Sequence, residues 1–266
     1  MLFKRSSMSP RAVLALAWTL GACGRAPMLA SAGLNNDDAS VDTSPADKVS
    51  DDGGSSTCEP GRRILLEESP NARDLGGTPL AGSSVAACNT LYRGTALTSL
   101  STQGCTEFAQ LGIRTVIDLR TSGERATPSE AACVVEATRI VQAPLPIPYS
   151  VSPQDYVADL RATASMAQAF RVLGDPTAYP VYFHCVYGRD RTGVLAAAIL
   201  LTLGASREEV MAEYRLSALA GVGAYPASLA AVLDEIESLG GVEAYLHSAG
   251  VTDKEIAVLR ARGVGA

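Results

Sequence analysis

The run His184-Cys185-Val186-Tyr187-Gly188-Arg189-Asp190-Arg191-Thr192-Gly193 holds the densest chemistry in the chain. Apolar Val181-Tyr182-Phe183 leads into it, and the apolar pattern of residues 192–203 leads out. A buried strand meeting a helix here sets the Cys185 sulfur at the strand end, beside the helix's positive end. The N–H groups between them can curl around a tetrahedral anion, with Val186, Tyr187, Gly188, Arg189, Asp190 and Arg191 as the lining. Arg191 can grip two anion oxygens with its planar fork. Such surroundings favour a thiolate at neutral pH. Cys185 therefore reads as a nucleophile toward a bound oxyanion rather than as a core cysteine. The six-residue step to Arg191, the glycines and the helix start argue for this together.

The neighbours have supporting parts. Gly188 and Gly193 let the backbone pass where a side chain would crowd. Thr192 can donate its hydroxyl to Cys185 and steady a leaving thiolate. His184 orients the loop rather than serving as a general base. Metal binding is not expected with only His184 and His247 available, and no cofactor is implied. Val186 and Tyr187 wall the pocket, with Tyr187 either stacking on a substrate ring or packing as core.

The elements that must position this loop are legible in outline. Leu91-Tyr92 suggests a short strand, turned by Arg93-Gly94. Ser101 to Gln103 opens a helix that Gly112 ends, and residues 114–119 read as a buried strand. Thr121 to Glu124 then turns into a variable stretch. Ser152-Pro153 starts a helix running to Leu173, by N-cap and proline-first logic. Gly204 ends the helix after the loop. Ser206 with Glu209 and Thr252 with Glu255 cap two later helices, and residues 226–239 form another. Strands and helices alternating around one parallel or mixed sheet make an α/β fold.

The chain divides into three parts. Residues 1–23 carry Lys4, Arg5 and Arg11, a short apolar core and Leu20-Gly21-Ala22-Cys23, the pattern of an export signal. That tetrapeptide resembles a bacterial lipobox, which implies a lipid anchor on Cys23. An exported, periplasmic or cell-envelope protein is expected. Residues 24–60 are rich in Ser, Ala, Gly and Asp and read as an acidic linker. Residues 61–266 form the catalytic domain. Cys58, Cys88, Cys105 and Cys133 form up to two disulfides outside the cytosol or remain buried thiols; three pairings are possible. The net charge of −6 argues against a nucleic-acid partner.

Four segments together resemble a known family. Asn71-Ala72-Arg73-Asp74-Leu75-Gly76-Gly77, Leu91-Tyr92-Arg93-Gly94, residues 112–120 ending in Asp118-Leu119-Arg120, and the loop itself are similar to atypical bacterial and fungal tyrosine phosphatases. The resemblance covers roughly residues 60–262. It implies a protein tyrosine phosphatase-like fold, a central mostly parallel sheet flanked by helices. It implies a phosphocysteine on Cys185, Arg191 clamping the phosphoryl oxygens, and Asp190 as proton donor. Asp118 is the second candidate acid, or else holds Arg191 or Arg120. Asp155 lies at the spacing of the acid in dual-specificity enzymes, though helix capping accounts for it. Asn71, Arg73 and Asp74 would brace the loop from below. Arg189 departs from the subgroup's lysine. It would favour a second anionic group or pair with Asp118 or Glu124.

The substrates so implied are phosphorylated proteins or peptides, phosphotyrosine foremost, or phospholipids. A phosphoinositide or inositol-phosphate phosphatase is the nearer alternative. A non-catalytic phosphate-binding module is the more distant one.

Overall fold

The computed structural model of the chain describes residues 58–126, 129–146 and 151–265. Five strands, β1 (Arg73–Asp74), β2 (Leu91–Gly94), β3 (Thr115–Asp118), β4 (Arg139–Gln142) and β5 (Val181–His184), form one sheet in the order β1-β2-β5-β3-β4. β1 runs antiparallel to β2, and every other pair is parallel. β5 lies between β2 and β3, with Val181 opposite Leu91 on one side and Thr115 on the other.

The pleat of β5 divides the core. Val181, Phe183 and Cys185 face the larger apolar cluster, and Tyr182 faces the smaller one with Tyr92 and Val116. Both faces are thus buried, as parallel strands require. Helices α1 (Thr102–Gln110), α2 (Ser122–Ala126), α3 (Ala132–Ala137), α4 (Pro153–Leu160) and α5 (Thr163–Leu173) precede β5. After it come α6 (Asp190–Leu203), α7 (Arg207–Leu219), α8 (Pro226–Ser238), α9 (Val242–Ser248) and α10 (Asp253–Gly263). This is the expected α/β architecture, with a mixed, mostly parallel sheet between helices.

Several local expectations change. The helix from Ser152 breaks at Arg161 and Ala162, so two helices stand where one was expected. Thr121 to Glu124 opens α2 rather than a plain turn, and the variable stretch contains α3 and β4. β4 is half-exposed at the sheet edge, so it lacks the continuous apolar run of a central strand. The cap signals behave better. Ser101, Ser152, Ser206 and Thr252 each accept a first-turn N–H, and Ser152–Asp155 and Thr252–Glu255 are full capping boxes.

The four cysteines pair as Cys58–Cys88 and Cys105–Cys133. The first bridge brings the end of the expected linker onto the domain. Gly76-Gly77 makes room for it: a Cβ on Gly77, at φ +76°, would lie 2.0 Å from the Cys58 carbonyl oxygen. The expectation of a membrane anchor is corrected. Among the described residues no helix is long and apolar enough to cross a membrane. The export signal and Cys23 lie outside the described residues.

Candidate active site

Cys185 follows the last residue of β5 and is buried. The loop from Cys185 to Arg189 then turns into α6. Its shape is set by where its carbonyls go. The Ala96 N–H donates to the Val186 carbonyl at 3.2 Å. The Asn71 Nδ2 donates to the Tyr187 and Gly188 carbonyls at 3.0 and 2.9 Å. The Arg93 Nη2 donates to the same Gly188 carbonyl at 2.8 Å. A trans peptide points its N–H opposite to its C=O. Holding these three carbonyls from outside therefore turns the N–H groups of Tyr187, Gly188 and Arg189 to the inner side, the arrangement that binds an oxyanion.

Gly188 makes this possible. Its φ is +65°, and a Cβ there would lie 2.2 Å from the Gly94 carbonyl carbon and oxygen. The backbone of β2 thus passes directly against the loop, where only glycine fits.

Arg191 is buried in the first turn of α6. Its Nη1 and Nη2 each donate to a Glu124 carboxylate oxygen at 2.6 Å. The remaining parallel pair, Nε–H and the second Nη2–H, is the side edge of the fork and can take two anion oxygens. Burial pushes the Glu124 carboxyl up. The Arg191 fork and the Thr121 N–H and hydroxyl outweigh it and bring Glu124 down to about 2. Glu124, rather than Asp118, is what holds Arg191.

Asp118 holds Arg120, as one of its expected parts allowed. Arg120 donates through Nε at 3.0 Å, Nη2 at 2.9 Å and its backbone N–H at 2.9 Å. Burial raises the Asp118 carboxyl, yet the Arg120 bonds and the nearby His184 leave it lowered. Asp118, Glu130 and His184 bring metal-type ligand atoms within 4.8 Å of one another. The Arg120 guanidinium lies among them and also bonds Glu130, so the protein's own cation serves this cluster. His184 links it to the loop. Its Nδ1 lies 2.9 Å from the Cys185 carbonyl. A carbonyl only accepts, so Nδ1 carries the proton. The orienting part expected of His184 is thus a single bond to the cysteine's own backbone.

Asp190 is the first residue of α6 and is buried. Arg189 donates to it through Nε at 2.7 Å and Nη2 at 3.1 Å, and the Tyr156 hydroxyl donates to Oδ1. Tyr156 has then spent its proton, so the 2.7 Å contact with Tyr214 must be a donation from Tyr214. Tyr214 in turn accepts the Tyr225 N–H at 3.1 Å. A one-directional chain therefore ends on Asp190.

Arg189 does not pair with Asp118 or Glu124. It is consumed by Asp190 and the Val222 carbonyl, and its guanidinium lies 4.5 Å over the Tyr225 ring. Tyr187 is exposed at the rim, not core, with the Arg189 guanidinium 5.9 Å from its ring.

Three further expectations change. The Thr192 hydroxyl is buried without a hydrogen-bond partner, so the donation expected toward Cys185 is not made. Asp155 completes the Ser152 capping box. Asp74 braces the Gly76 and Asn89 turns and Arg62 instead of the anion loop.

The residues missed were Arg93, Glu213 and Tyr156. Each had a signal. Arg93 lies in the segment read as a strand and turn, and Glu213 falls on the helix face of Val210, Tyr214 and Ser217. A charge on a buried face demands a partner.

Residues 64–264 match the tyrosine phosphatase family. The chain is 30% identical over 203 residues to H16_A0669 of Cupriavidus necator, assigned as a tyrosine-protein phosphatase, covering 64% of this chain and 73% of that one. It is 27% identical over 199 residues to a tyrosine-protein phosphatase of Nostoc commune, covering 58% and 67%. Among solved structures, TpbA of P. aeruginosa aligns at 20% identity and a TM-score of 0.36, covering 63% of this chain and 90% of that one. The family match spans most of the chain and all of the loop just described: the chain belongs to the tyrosine phosphatase family.

Proposed function

We propose that the chain is a cysteine-dependent phosphatase acting through a phosphocysteine on Cys185. The observation that carries this is the loop whose Val186, Tyr187 and Gly188 carbonyls are all tied from outside. Its inward N–H groups and the side edge of Arg191 match the oxygens of a phosphoryl group. The Cys185 thiolate attacks phosphorus; the S–P bond forms as the P–O bond to the leaving group breaks. Asp190 supplies the proton that the leaving oxygen takes. Water then attacks phosphorus, gives a proton to the Asp190 carboxylate, and the S–P bond breaks to return the thiolate. Asp118, held on Arg120 at the end of β3 rather than within the anion loop, is the second candidate for that acid.

Phosphotyrosine in a protein or peptide is the preferred substrate. The reading as a phosphoinositide or inositol-phosphate phosphatase leaned on Arg189 as a spare cation. That charge is spent on Asp190, Val222 and Tyr225. An exposed Tyr187 at the rim suits an aryl ring. Export is part of the same reading, supported by the two disulfides, which persist in oxidising compartments.

The test is phosphate release by the reduced full chain from phosphotyrosine, phosphoserine and phosphothreonine peptides and from phosphoinositides. Cys185→Ser should abolish it on every substrate. Asp190→Asn should slow phenyl phosphate more than nitrophenyl phosphate, whose leaving group needs no proton. A phosphoinositide hydrolysed faster than the phosphotyrosine peptide would reverse the substrate preference. A folded, reduced chain that turns over none of them would leave a phosphate-binding module.

A further inference from the structure

Behind the anion loop lies a buried ionic group that the proposed reaction does not use. Arg93 on β2 is fully buried, its neighbour across β1 is the buried Arg73, and both reach one carboxylate on α7. Glu213 accepts the Arg73 Nε and the Arg93 Nη1, each at 2.6 Å. Two cations against one anion leave a net positive charge enclosed beneath the loop. Burial, then Arg73, lowers the Arg93 proton affinity to about 10, against the opposing pull of Glu213 and Cys185. Glu213 stays below its ordinary value because the two arginines outweigh burial.

Such a group is a poor way to gain stability, since desolvation cancels most of its attraction. Its placement gives it another use. Arg93 spends Nη1 on Glu213 and Nη2 on the Gly188 carbonyl at 2.8 Å. Arg73 donates to Asn71 Oδ1, which orients the Asn71 amide so that its Nδ2 meets the Tyr187 and Gly188 carbonyls. Through these two routes Glu213 fixes both peptides that aim the Gly188 and Arg189 N–H groups inward.

We infer that Arg93 and Glu213 are positioning residues for oxyanion binding: Glu213 locks the buried guanidinium, and the guanidinium holds the Gly188 peptide in its anion-facing orientation. The inference rests on the loop being the phosphate site proposed above. It does not rest on turnover.

The test is titration of the full chain with tungstate, an unreactive tetrahedral oxyanion, beside thermal unfolding. Arg93→Lys keeps the charge but loses the fork, so it cannot hold Glu213 and Gly188 together. Glu213→Asp keeps the carboxylate and withdraws it by a methylene. Each variant should bind tungstate about tenfold more weakly or worse, the worth of a charged hydrogen bond, while still unfolding cooperatively well above the titration temperature. A purely structural brace would lower the unfolding temperature and leave tungstate affinity in the folded range unchanged, and that result overturns the inference. So does failure of both variants to fold. A wild type that binds tungstate yet turns over no substrate sinks the catalytic reading alone.

Discussion

At the scale of single residues, the partner of each charge decides what it can do. Arg191 and Arg189 lie two apart and carry the same charge. One keeps its side edge toward the loop because Glu124 takes only the end of its fork. The other is used up by its own neighbour Asp190. Glu124→Gln should leave Arg191 loosely aimed and lower kcat/KM for a phosphotyrosine peptide on the order of tenfold to a hundredfold. It should also alter acid stability. A carboxyl held near 2 against an ordinary 4.5 adds stability above pH 4.5 that is lost as pH falls toward 2. Urea midpoints across that interval should fall less steeply for Glu124→Gln than for the wild type; parallel slopes would contradict the pairing.

Among elements, the junction of β5 with α6 is decided by its fit against β2. Gly188 lies on the Gly94 backbone with a positive φ. Gly188→Ala adds a strained conformation, about 1–3 kcal/mol, and a backbone contact that cannot yield. The variant should be less stable and should lose tungstate binding, both readable in one calorimetric series. Unchanged affinity would mean that the loop binds anions without pressing on β2. The sequence marked this junction well, since an apolar strand, two glycines and an apolar helix are local signals. It marked the break at Arg161 and Ala162 poorly. No glycine or proline stands there, and α4 instead turns to pack on α8.

For the whole molecule, one disulfide ties the segment at Cys58 to the loop before β2 and the other joins α1 to α3. They link positions 30 and 28 residues apart. Loop-closure entropy puts each at about 3.6 kcal/mol. Cys58→Ser with Cys88→Ser, or Cys105→Ser with Cys133→Ser, should lower the unfolding free energy by about that much in denaturant melts. A melt that does not shift would show that packing alone holds that segment.

By itself the sequence determined the strand–loop–helix unit, the places of Cys185 and Arg191 in it and the α/β class, because each is written in contiguous residues with a local physical signature. Tertiary structure alone decided that Glu124 holds Arg191, that Arg189 is spent on Asp190 and Tyr225, that the cysteines pair as they do, and that Arg93 and Glu213 meet beneath the loop. Those partners are 67, 36, 30, 28 and 120 positions apart or set by rotamer. A charge in a sequence announces that it needs a partner; the packing of the sheet against α2 and α7 selects which one it gets.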